Sequence, residues 1–309
     1  MPIPRNQNEC LFALDVVVLS AMGMSITISS ANSFVRVVLR MPRGKRYMIL
    51  TNENYYSPEA NLTYMSVSQY KDFLSCEAKA MATLRGEWGR ENTTALLVGS
   101  YVDAWFEGTL DEFKADHPEI TKKDGTLKAD FTQAEELIAY ARMDPMFMAY
   151  MAGEKQVIMT AEIFGTLWKI KIDSYHPGEK IVDLKVMRSM ERIMGKSFVE
   201  HWGYDLQLAV YAEVARRVTG LDLETFLAVI TKQAPPDKEI ISVPMWRRRE
   251  LLSDIERWMP RILAVKSGSE KPQRCGVCDY CRASKMLEEP IDFEMVGLSA
   301  SERRAIMGV

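Results

Sequence analysis

Residues 166–186 constrain the fold of this chain more strongly than any other segment. The first part alternates between apolar and polar side chains, which is typical of a half-buried strand. The apolar members are Leu167, Ile170 and Ile172, and the polar members are Lys169, Lys171 and Asp173. His-Pro-Gly at residues 176–178 then supplies a turn. The segment therefore predicts a hairpin of two strands at the edge of a sheet.

The returning strand carries the residues of chemical interest. Asp183 and Lys185 are two positions apart, so they point to the same face as Ile181. The opposite face is apolar and consists of Val182, Leu184 and Val186. With Asp173 this makes two carboxylates and an ammonium group, which a magnesium-dependent phosphodiesterase requires to bind the metal and to hold the attacking water or the phosphate. The alternative is a solvated face of an edge strand.

The rest of the chain predicts an alternation of helices and strands. Helices are expected over residues 66–84, 94–106, 203–219 and 245–266, with one or two more over 131–151, broken near Pro145. Strands are expected over 156–164, 166–175, 180–186, 226–231 and 239–243, and residues 108–128 read as a loop. Three strands, a helix and a further strand predict an α/β domain with a mixed sheet.

Composition sets limits on the possible partners. The 309 residues are 47% hydrophobic and 26% charged, with a net charge of -3, which is ordinary for one large globular domain. Any nucleic-acid contact must therefore use local positive charge. The local candidates, each of which also reads as a solvated face, are Lys169, Lys171, Lys185, Arg188, Arg192, Lys196, Arg247, Arg248 and Arg249.

Several motifs carry a resemblance to a known family. In chain order they are SVSQYKDFLSCEAKAM, GSYVDAWFEG, AEIFG, KIDSY, VDLK, YDLQLAVYAE and CGVCDYC. The chain resembles the PD-(D/E)xK nuclease superfamily, and within it the RecB-type and phage exonuclease VIII-type branch, from about residue 48 to the C-terminus. The resemblance implies a restriction-endonuclease-like αβββαβ core, with helical elaborations at both ends clipped by a cysteine cluster.

The N-terminal residues do not share this resemblance. Residues 11–30 are apolar but are interrupted by Asp15, and they lack the features of a confident membrane span or signal peptide. We expect residues 1–47 to be a non-native or disordered extension, with Met48 as the natural start. An ordered or membrane-associated arm is the alternative. Residues 48–309 are expected to form one nuclease-like domain that includes the cysteine loop 275–281.

The resemblance assigns roles to the acids and the lysine. Asp173 matches the first acid of the family motif and Asp183 the second, so both are expected to bind Mg²⁺ or Mn²⁺, with the carbonyl of Leu184 as a further oxygen ligand. Lys185 matches the family lysine, which positions or helps to deprotonate the attacking water. One metal ion with Lys185, or two metal ions, would each suffice.

Four further residues are candidates by their positions in the motifs. Asp103 stands where RecB-type members usually carry a histidine, and it is expected to bind the metal or support a ligand; a surface acid is the alternative. Glu162 is a weaker candidate for a water-mediated metal contact, against a strand-end acid facing solvent. Gln207 and Tyr211 lie four residues apart, on one helix face, and match the Q-x-x-x-Y motif that packs beside the acids.

The cysteines give a second line of inference. Cys275, Cys278 and Cys281 have the C-x2-C-x2-C spacing of a loop around an iron-sulfur cluster, and Cys76 supplies a remote fourth thiolate. Iron-sulfur members of the RecB-type group share this split of one N-terminal and three C-terminal cysteines. A 4Fe-4S cluster, a zinc ion and unliganded thiols all stay open. Cys10 lies in the expected extension, and a disulfide network is disfavoured.

The resemblance implies a cytoplasmic, Mg²⁺-dependent exonuclease that acts on double-stranded DNA ends in phage or prophage recombination. It would hand single strands to an annealing recombinase, and by analogy it would form a homo-oligomer without membrane contact. One alternative is another DNA-processing or structure-specific nuclease. The other is a nuclease-derived DNA-binding scaffold in which Asp103 has replaced a needed ligand.

Overall fold

The computed structural model describes residues 48–89, 93–287 and 290–307. The expected extension of residues 1–47 lies outside the described residues. The chain divides into two units, and the second, Asn52–Val309, contains every helix and strand named below. Among the described residues, none of the helices has both the length and the apolar character needed to cross a bilayer.

Two sheets form the centre of the domain. The strands are β1 (Val157–Ile163), β2 (Thr166–Ile172), β3 (Ser174–His176), β4 (Lys180–Met187), β5 (Glu224–Thr231) and β6 (Lys238–Ser242). Strands β1 and β2 form an antiparallel pair, and the second sheet has the order β3-β4-β5-β6. Strands β4 and β5 are parallel, whereas β3-β4 and β5-β6 are antiparallel. The predicted mixed sheet is confirmed.

Helices surround these sheets. They are α1 (Pro58–Thr63), α2 (Val67–Ser75), α3 (Glu77–Leu84), α4 (Thr94–Glu107), α5 (Leu110–Asp116), α6 (Ala129–Arg142), α7 (Pro145–Tyr150), α8 (Phe198–Trp202), α9 (Tyr204–Thr219), α10 (Met245–Ser267), α11 (Asp279–Ala283) and α12 (Ala300–Met307). Short 3-10 turns occur at Pro118–Ile120 and Phe293–Met295. The element order agrees with the predicted α/β architecture and its restriction-endonuclease-like core.

Strand β4 separates two hydrophobic cores. Ile181 belongs to the core beneath α9 and α10, whereas Val182 and Leu184 belong to the core beneath α4 and α6. This division follows the alternation of side chains across the strand. Asp183 and Lys185 share the face of Ile181, so the fold places them at the boundary of a packed layer.

The predicted strand over residues 166–175 is wrong in one respect, because it is two strands that belong to different sheets. Strand β2 ends at Ile172 and pairs with β1, while β3 begins at Ser174 and pairs with β4. The carboxylate of Asp173 accepts the N–H of Leu184 at 2.9 Å. If the pairing of β3 with β4 continued, the N–H of Leu184 would face the backbone of Ile172. The side chain of Asp173 takes the place of that backbone partner, and the chain bends at Asp173.

Two helical predictions also need correction. The helix expected over residues 66–84 is interrupted at Cys76, whose φ of -163° and ψ of 106° are extended, so it forms α2 and α3. The loop expected over residues 108–128 contains α5, which is held by an edge-on contact between Phe113 and Tyr101 with ring centroids 5.8 Å apart. The second difference arises from a tertiary contact that overrules the local pattern.

Lys169 departs from the pattern of a half-buried strand. Its side chain is 1% exposed, and its ammonium group donates to Asn61 Oδ1 at 2.8 Å and to the carbonyl of Tyr55. It therefore fastens the segment before α1 to the sheet. Burial lowers the pKa of Lys169 to about 8. These contacts remove it from the set of candidate phosphate ligands.

Gly153 is packed directly against strand β3. A Cβ at this position would lie 2.5 Å from the carbonyl oxygen of Tyr175 and 2.8 Å from Ser174 Oγ. We therefore expect Gly153→Ala to lower the free energy of unfolding by about 1–3 kcal/mol, measured by urea denaturation. Gly99→Ala, in the open interior of α4, is the control and should raise it by about 0.5–1 kcal/mol. Equal stability of the two variants would contradict this packing.

Candidate metal-binding site

Three of the predicted acids, Asp103, Asp173 and Asp183, line one cavity of about 1050 Å³. Asp103 comes from α4, Asp173 from the junction of β2 and β3, and Asp183 and Lys185 from β4. Gln207 and Tyr211 reach the same cavity from α9. Four separate parts of the fold thus bring together residues as far apart in sequence as Asp103 and Tyr211.

Asp183 is the most enclosed of these acids, with 2% of the residue exposed. Its Oδ1 accepts a hydrogen bond from Gln207 Nε2 at 2.7 Å. Its Oδ2 forms an ion pair with the ammonium group of Lys185. A buried carboxylate needs such charged or hydrogen-bonding partners, because its removal from water is otherwise costly.

Asp173 accepts hydrogen bonds on both oxygens. The N–H of Leu184 lies 2.9 Å from Oδ2, and Gln156 Nε2 lies 3.4 Å from Oδ1. Burial and the neighbouring charge of Asp183 raise the pKa of Asp173 to about 7, which Lys185 partly opposes. Without a bound cation, Asp173 therefore resists ionisation at neutral pH.

Asp103 belongs to the same electrostatic group. Burial, followed by the charge of Asp173, raises the pKa of Asp103 well above its usual range. Glu107, one turn further along α4, also lines the cavity, and burial raises its pKa. The sequence reading missed Glu107, although its i,i+4 spacing from Asp103 places both acids on one helix face.

Lys185 is a cation in direct contact with Asp183. Burial alone would lower the pKa of Lys185, but the carboxylates of Asp183 and Asp173 outweigh burial and raise it above its ordinary value. Its ammonium group also donates to the carbonyl of Leu184 at 3.2 Å and lies 5.2 Å from the ring centroid of Tyr204. Lys185 is therefore charged and held in place.

The donor set fits a hard divalent cation. The cavity offers carboxylate oxygens from Asp103, Asp173 and Asp183, and the carbonyl of Leu184 lies beside Lys185. Oxygen ligands of this kind suit Mg²⁺ and Mn²⁺. The raised pKa values of Asp103 and Asp173 reflect a crowding of negative charge that a bound cation would relieve.

Of the two remaining candidates from the sequence, Tyr211 lies at the cavity and Glu162 does not. Tyr211 lines the cavity one turn after Gln207, and burial raises its pKa well above the usual range. Glu162 is exposed near the far end of the β1-β2 pair, opposite Leu167. Along β1 it is five residues from the end of the strand pair that adjoins Asp173, which corresponds to about 17 Å. The expected metal contact of Glu162 is therefore wrong.

Two tyrosines at the cavity were not predicted. Tyr55 is buried and Tyr56 is 69% exposed, and both line the cavity. The ammonium group of Lys171 lies 5.1 Å from the ring centroid of Tyr56. These residues precede α1 in a segment without periodicity, so no sequence signal places them beside the acids.

Two of the arginine candidates have structural partners. Arg247 pairs with Asp205 at 2.9 Å and with Glu250 at 2.8 Å. Arg248 is buried and donates to the carbonyl of Leu223 at 2.9 Å. Both contacts stabilise the start of α10, so these side chains are committed to the fold.

The four cysteines form a second site, separate from the acids. The Sγ atoms of Cys76, Cys275, Cys278 and Cys281 all lie within 4.8 Å of one another. Burial would raise the pKa of the Cys275 thiol, but the backbone N–H groups of Val277 and Cys278 outweigh it and lower the pKa to about 7. The predicted grouping of one N-terminal and three C-terminal cysteines is confirmed.

Acids, lysine and mixed sheet together define a domain of the PD-(D/E)xK type. Residues 66–284 match the family model described as "PDDEXK-like domain of unknown function (DUF3799)", and the chain belongs to this family. A crystal structure from Eubacterium rectale described as a "Putative exonuclease" is 53% identical, with a TM-score of 0.77, over 81% of this chain and 98% of that chain.

The chain has little similarity to a second solved structure. The crystal structure of SSO0001 is 14% identical over 72% of this chain and 97% of that chain, with a TM-score of 0.28. No curated protein matches the chain. The family assignment therefore rests on the family model and on the structure from Eubacterium rectale.

The acids predict a pH dependence of stability in magnesium-free protein. The pKa of Asp173 is about 7 when folded and about 3.9 when unfolded. Between these two pH values the folded state holds a proton that the unfolded state has released. The free energy of unfolding therefore decreases as the pH rises towards 7, and the contribution of this proton is lost above it. As the pH is raised from 5 to 8, we expect the thermal midpoint of wild type to decrease relative to that of Asp173→Asn.

Mg²⁺ should reverse this loss at pH 8, because it binds the ionised carboxylates of the folded state. Asp111→Asn, which changes an exposed acid of α5, is the control and should keep the wild-type pH profile. A constant difference between wild type and Asp173→Asn across this pH range would contradict the raised pKa.

Proposed function

We propose that this protein is a Mg²⁺-dependent exonuclease that hydrolyses the phosphodiester bonds of linear double-stranded DNA. The observation that supports the proposal is the grouping of Asp103, Asp173 and the buried Asp183 in one cavity, where the carboxylate of Asp183 pairs with the ammonium group of Lys185. Such a site suits a cation and a phosphate. The name of the similar protein from Eubacterium rectale supports the choice of an exonuclease.

Several acids would bind the cation together. Asp173 and Asp183 are the proposed ligands, Asp103 is a ligand or orients one, and the carbonyl of Leu184 completes the oxygen set. When bound, Mg²⁺ supplies a Lewis acid for the phosphate and lowers the pKa of a bound water. Gln207 holds Oδ1 of Asp183 in position through its hydrogen bond of 2.7 Å.

Lys185 would provide the local positive charge that the chain lacks overall. Its ammonium group remains protonated beside the acids, so its role is to orient the attacking water and offset charge on the scissile phosphate, not to remove a proton. Tyr211 packs beside Gln207 and excludes water from that side of the cavity. The substrate enters with its negative charge, which the bound cation and Lys185 offset together.

The biological role that fits this reaction is end processing in phage or prophage recombination. Removal of nucleotides from one strand leaves a single strand, which is the substrate of an annealing recombinase. A homo-oligomer that surrounds the duplex would keep the enzyme on one DNA molecule. These parts of the proposal rest on the family resemblance, and the reaction itself does not depend on them.

The experiment compares two forms of the same DNA. Linear duplex, labelled at either the 5′ or the 3′ ends, and the covalently closed circle are incubated with wild type in Mg²⁺. We expect release of nucleotides from the linear form, with the closed circle unchanged, and the first label lost gives the polarity. Nicking or linearisation of the circle would instead identify an endonuclease, and DNA binding without cleavage would identify a scaffold.

A further inference from the structure

The cysteine site has dimensions that bear on its occupant. Cys76 Sγ lies 3.6 Å from Cys281 Sγ, and Cys275 Sγ lies 3.9 Å from Cys281 Sγ. All four Sγ atoms, including that of Cys278, fall within 4.8 Å of one another. The four thiols therefore form one compact cluster.

These separations match the ligands of one tetrahedral ion. With Zn–S bonds of about 2.3 Å, four tetrahedral thiolates lie about 3.8 Å apart. In a four-iron cluster each thiolate binds a different iron at an outer corner, so the thiolates lie farther apart than they do around a single ion. The separations of 3.6 and 3.9 Å, with no pair beyond 4.8 Å, are closer to those around a single ion than to those of the four-iron cluster that the family resemblance implies.

We propose that Cys76, Cys275, Cys278 and Cys281 hold one structural zinc ion. Two backbone groups already serve as donors to the sulfurs: the N–H of Cys278 lies 3.4 Å from Cys275 Sγ, and that of Cys281 lies 3.4 Å from Cys278 Sγ. Such hydrogen bonds favour the thiolate form that binds the metal. No open coordination position is needed, because the site supplies four ligands.

The cysteine site joins two segments that are far apart in the sequence. Cys76 and Cys281 are 205 residues apart. Neighbouring contacts reinforce the same junction: Arg261 binds Glu77 through two hydrogen bonds, one of 2.9 Å and one of 2.6 Å, and Lys79 pairs with Asp279. A metal ion here would couple its binding energy directly to the fold.

The position of Cys76 connects the cysteine site to the cavity that contains the acids. Cys76 lies at the break between α2 and α3, and residues of both helices line the acid cavity, among them Gln69, Phe73 and Leu84. Loss of the ion would release the joint between these two helices. It would therefore loosen one wall of the cavity without removing any group that we assign to the Mg²⁺ site.

Metal analysis of the full chain tests the proposal. The protein is expressed with both iron and zinc supplied and is purified without oxygen, and its zinc, iron and acid-labile sulfide are measured per chain. We expect one zinc per chain, no sulfide and no visible absorption band. Iron with an equal amount of sulfide would overturn the proposal, as would a folded protein without zinc. This test does not depend on the proposed nuclease activity.

A matched pair of variants assigns the ion to these cysteines. Cys278→Ser should lose the zinc and lower the thermal midpoint, whereas Cys10→Ser, the same chemical change outside the described residues, should keep both. If Cys278→Ser does not fold, cobalt substitution of wild type gives the answer: a tetrahedral thiolate spectrum supports the proposal. A cobalt spectrum without thiolate bands would overturn it.

Discussion

Asp183→Asn is expected to reduce Mg²⁺-dependent cleavage of DNA by at least about a thousandfold while the protein stays folded. The substituted side chain has nearly the same shape, and its oxygen can still accept the hydrogen bond from Gln207 that Oδ1 receives at 2.7 Å. It removes the negative charge of the buried carboxylate, whose Oδ2 pairs with the ammonium group of Lys185. Cleavage rates on linear duplex DNA and thermal unfolding are measured together.

Glu162→Gln is the matched control for this variant. It removes a carboxylate from the exposed end of β1, about 17 Å along the strand from the end that adjoins Asp173. Its cleavage rate should stay within about twofold of wild type. Near-normal cleavage by Asp183→Asn would contradict the role of Asp183, and a large loss in Glu162→Gln would restore Glu162 as a metal contact.

Lys185→Met should reduce cleavage by about a hundredfold to a thousandfold, because it removes the charge that offsets the phosphate and orients water. Its effect on metal binding should differ from that of Asp183→Asn. Without the ammonium group, the charges of Asp173 and Asp183 are less compensated, so Mg²⁺ should bind at least as tightly as in wild type. Calorimetric Mg²⁺ titration and cleavage rates separate the two effects.

Lys180→Met is the control for the loss of a lysine from β4. Lys180 pairs with Glu179 at 3.2 Å and does not line the cavity. It should leave both cleavage and Mg²⁺ affinity near the wild-type values. Weaker Mg²⁺ binding by Lys185→Met would show that the lysine supports the metal ligands, and would contradict the role proposed for it.

Local alternation was sufficient to predict the central strand of the site. Ile181 and Val182 pack into different cores, as the period of two requires, and the same period places Asp183 beside Lys185. The bend at Asp173 was not predictable in this way. It depends on a carboxylate that accepts a hydrogen bond from the neighbouring strand, and the sequence pattern does not reveal such a contact.

Residues that reach the cavity from other elements were harder to predict. Glu107 is recognisable only after α4 is docked against β4, since many surface helices carry acids at i,i+4 spacing. Lys169 looks like an exposed lysine in the sequence, but the segment that contains Tyr55 and Asn61 covers it. The cysteine spacing predicted a metal site, whereas the choice between ions depends on distances between sulfur atoms.

A Mg²⁺ titration of nucleotide release from linear duplex DNA tests most directly whether the acids form a catalytic metal site. Wild type is dialysed into magnesium-free buffer without a chelator, so that the ion at the cysteines stays in place. We expect no release without Mg²⁺ and a saturable rise that parallels the increase in thermal stability. Release that is independent of Mg²⁺, or stabilisation by Mg²⁺ without any release, would contradict a metal-dependent exonuclease.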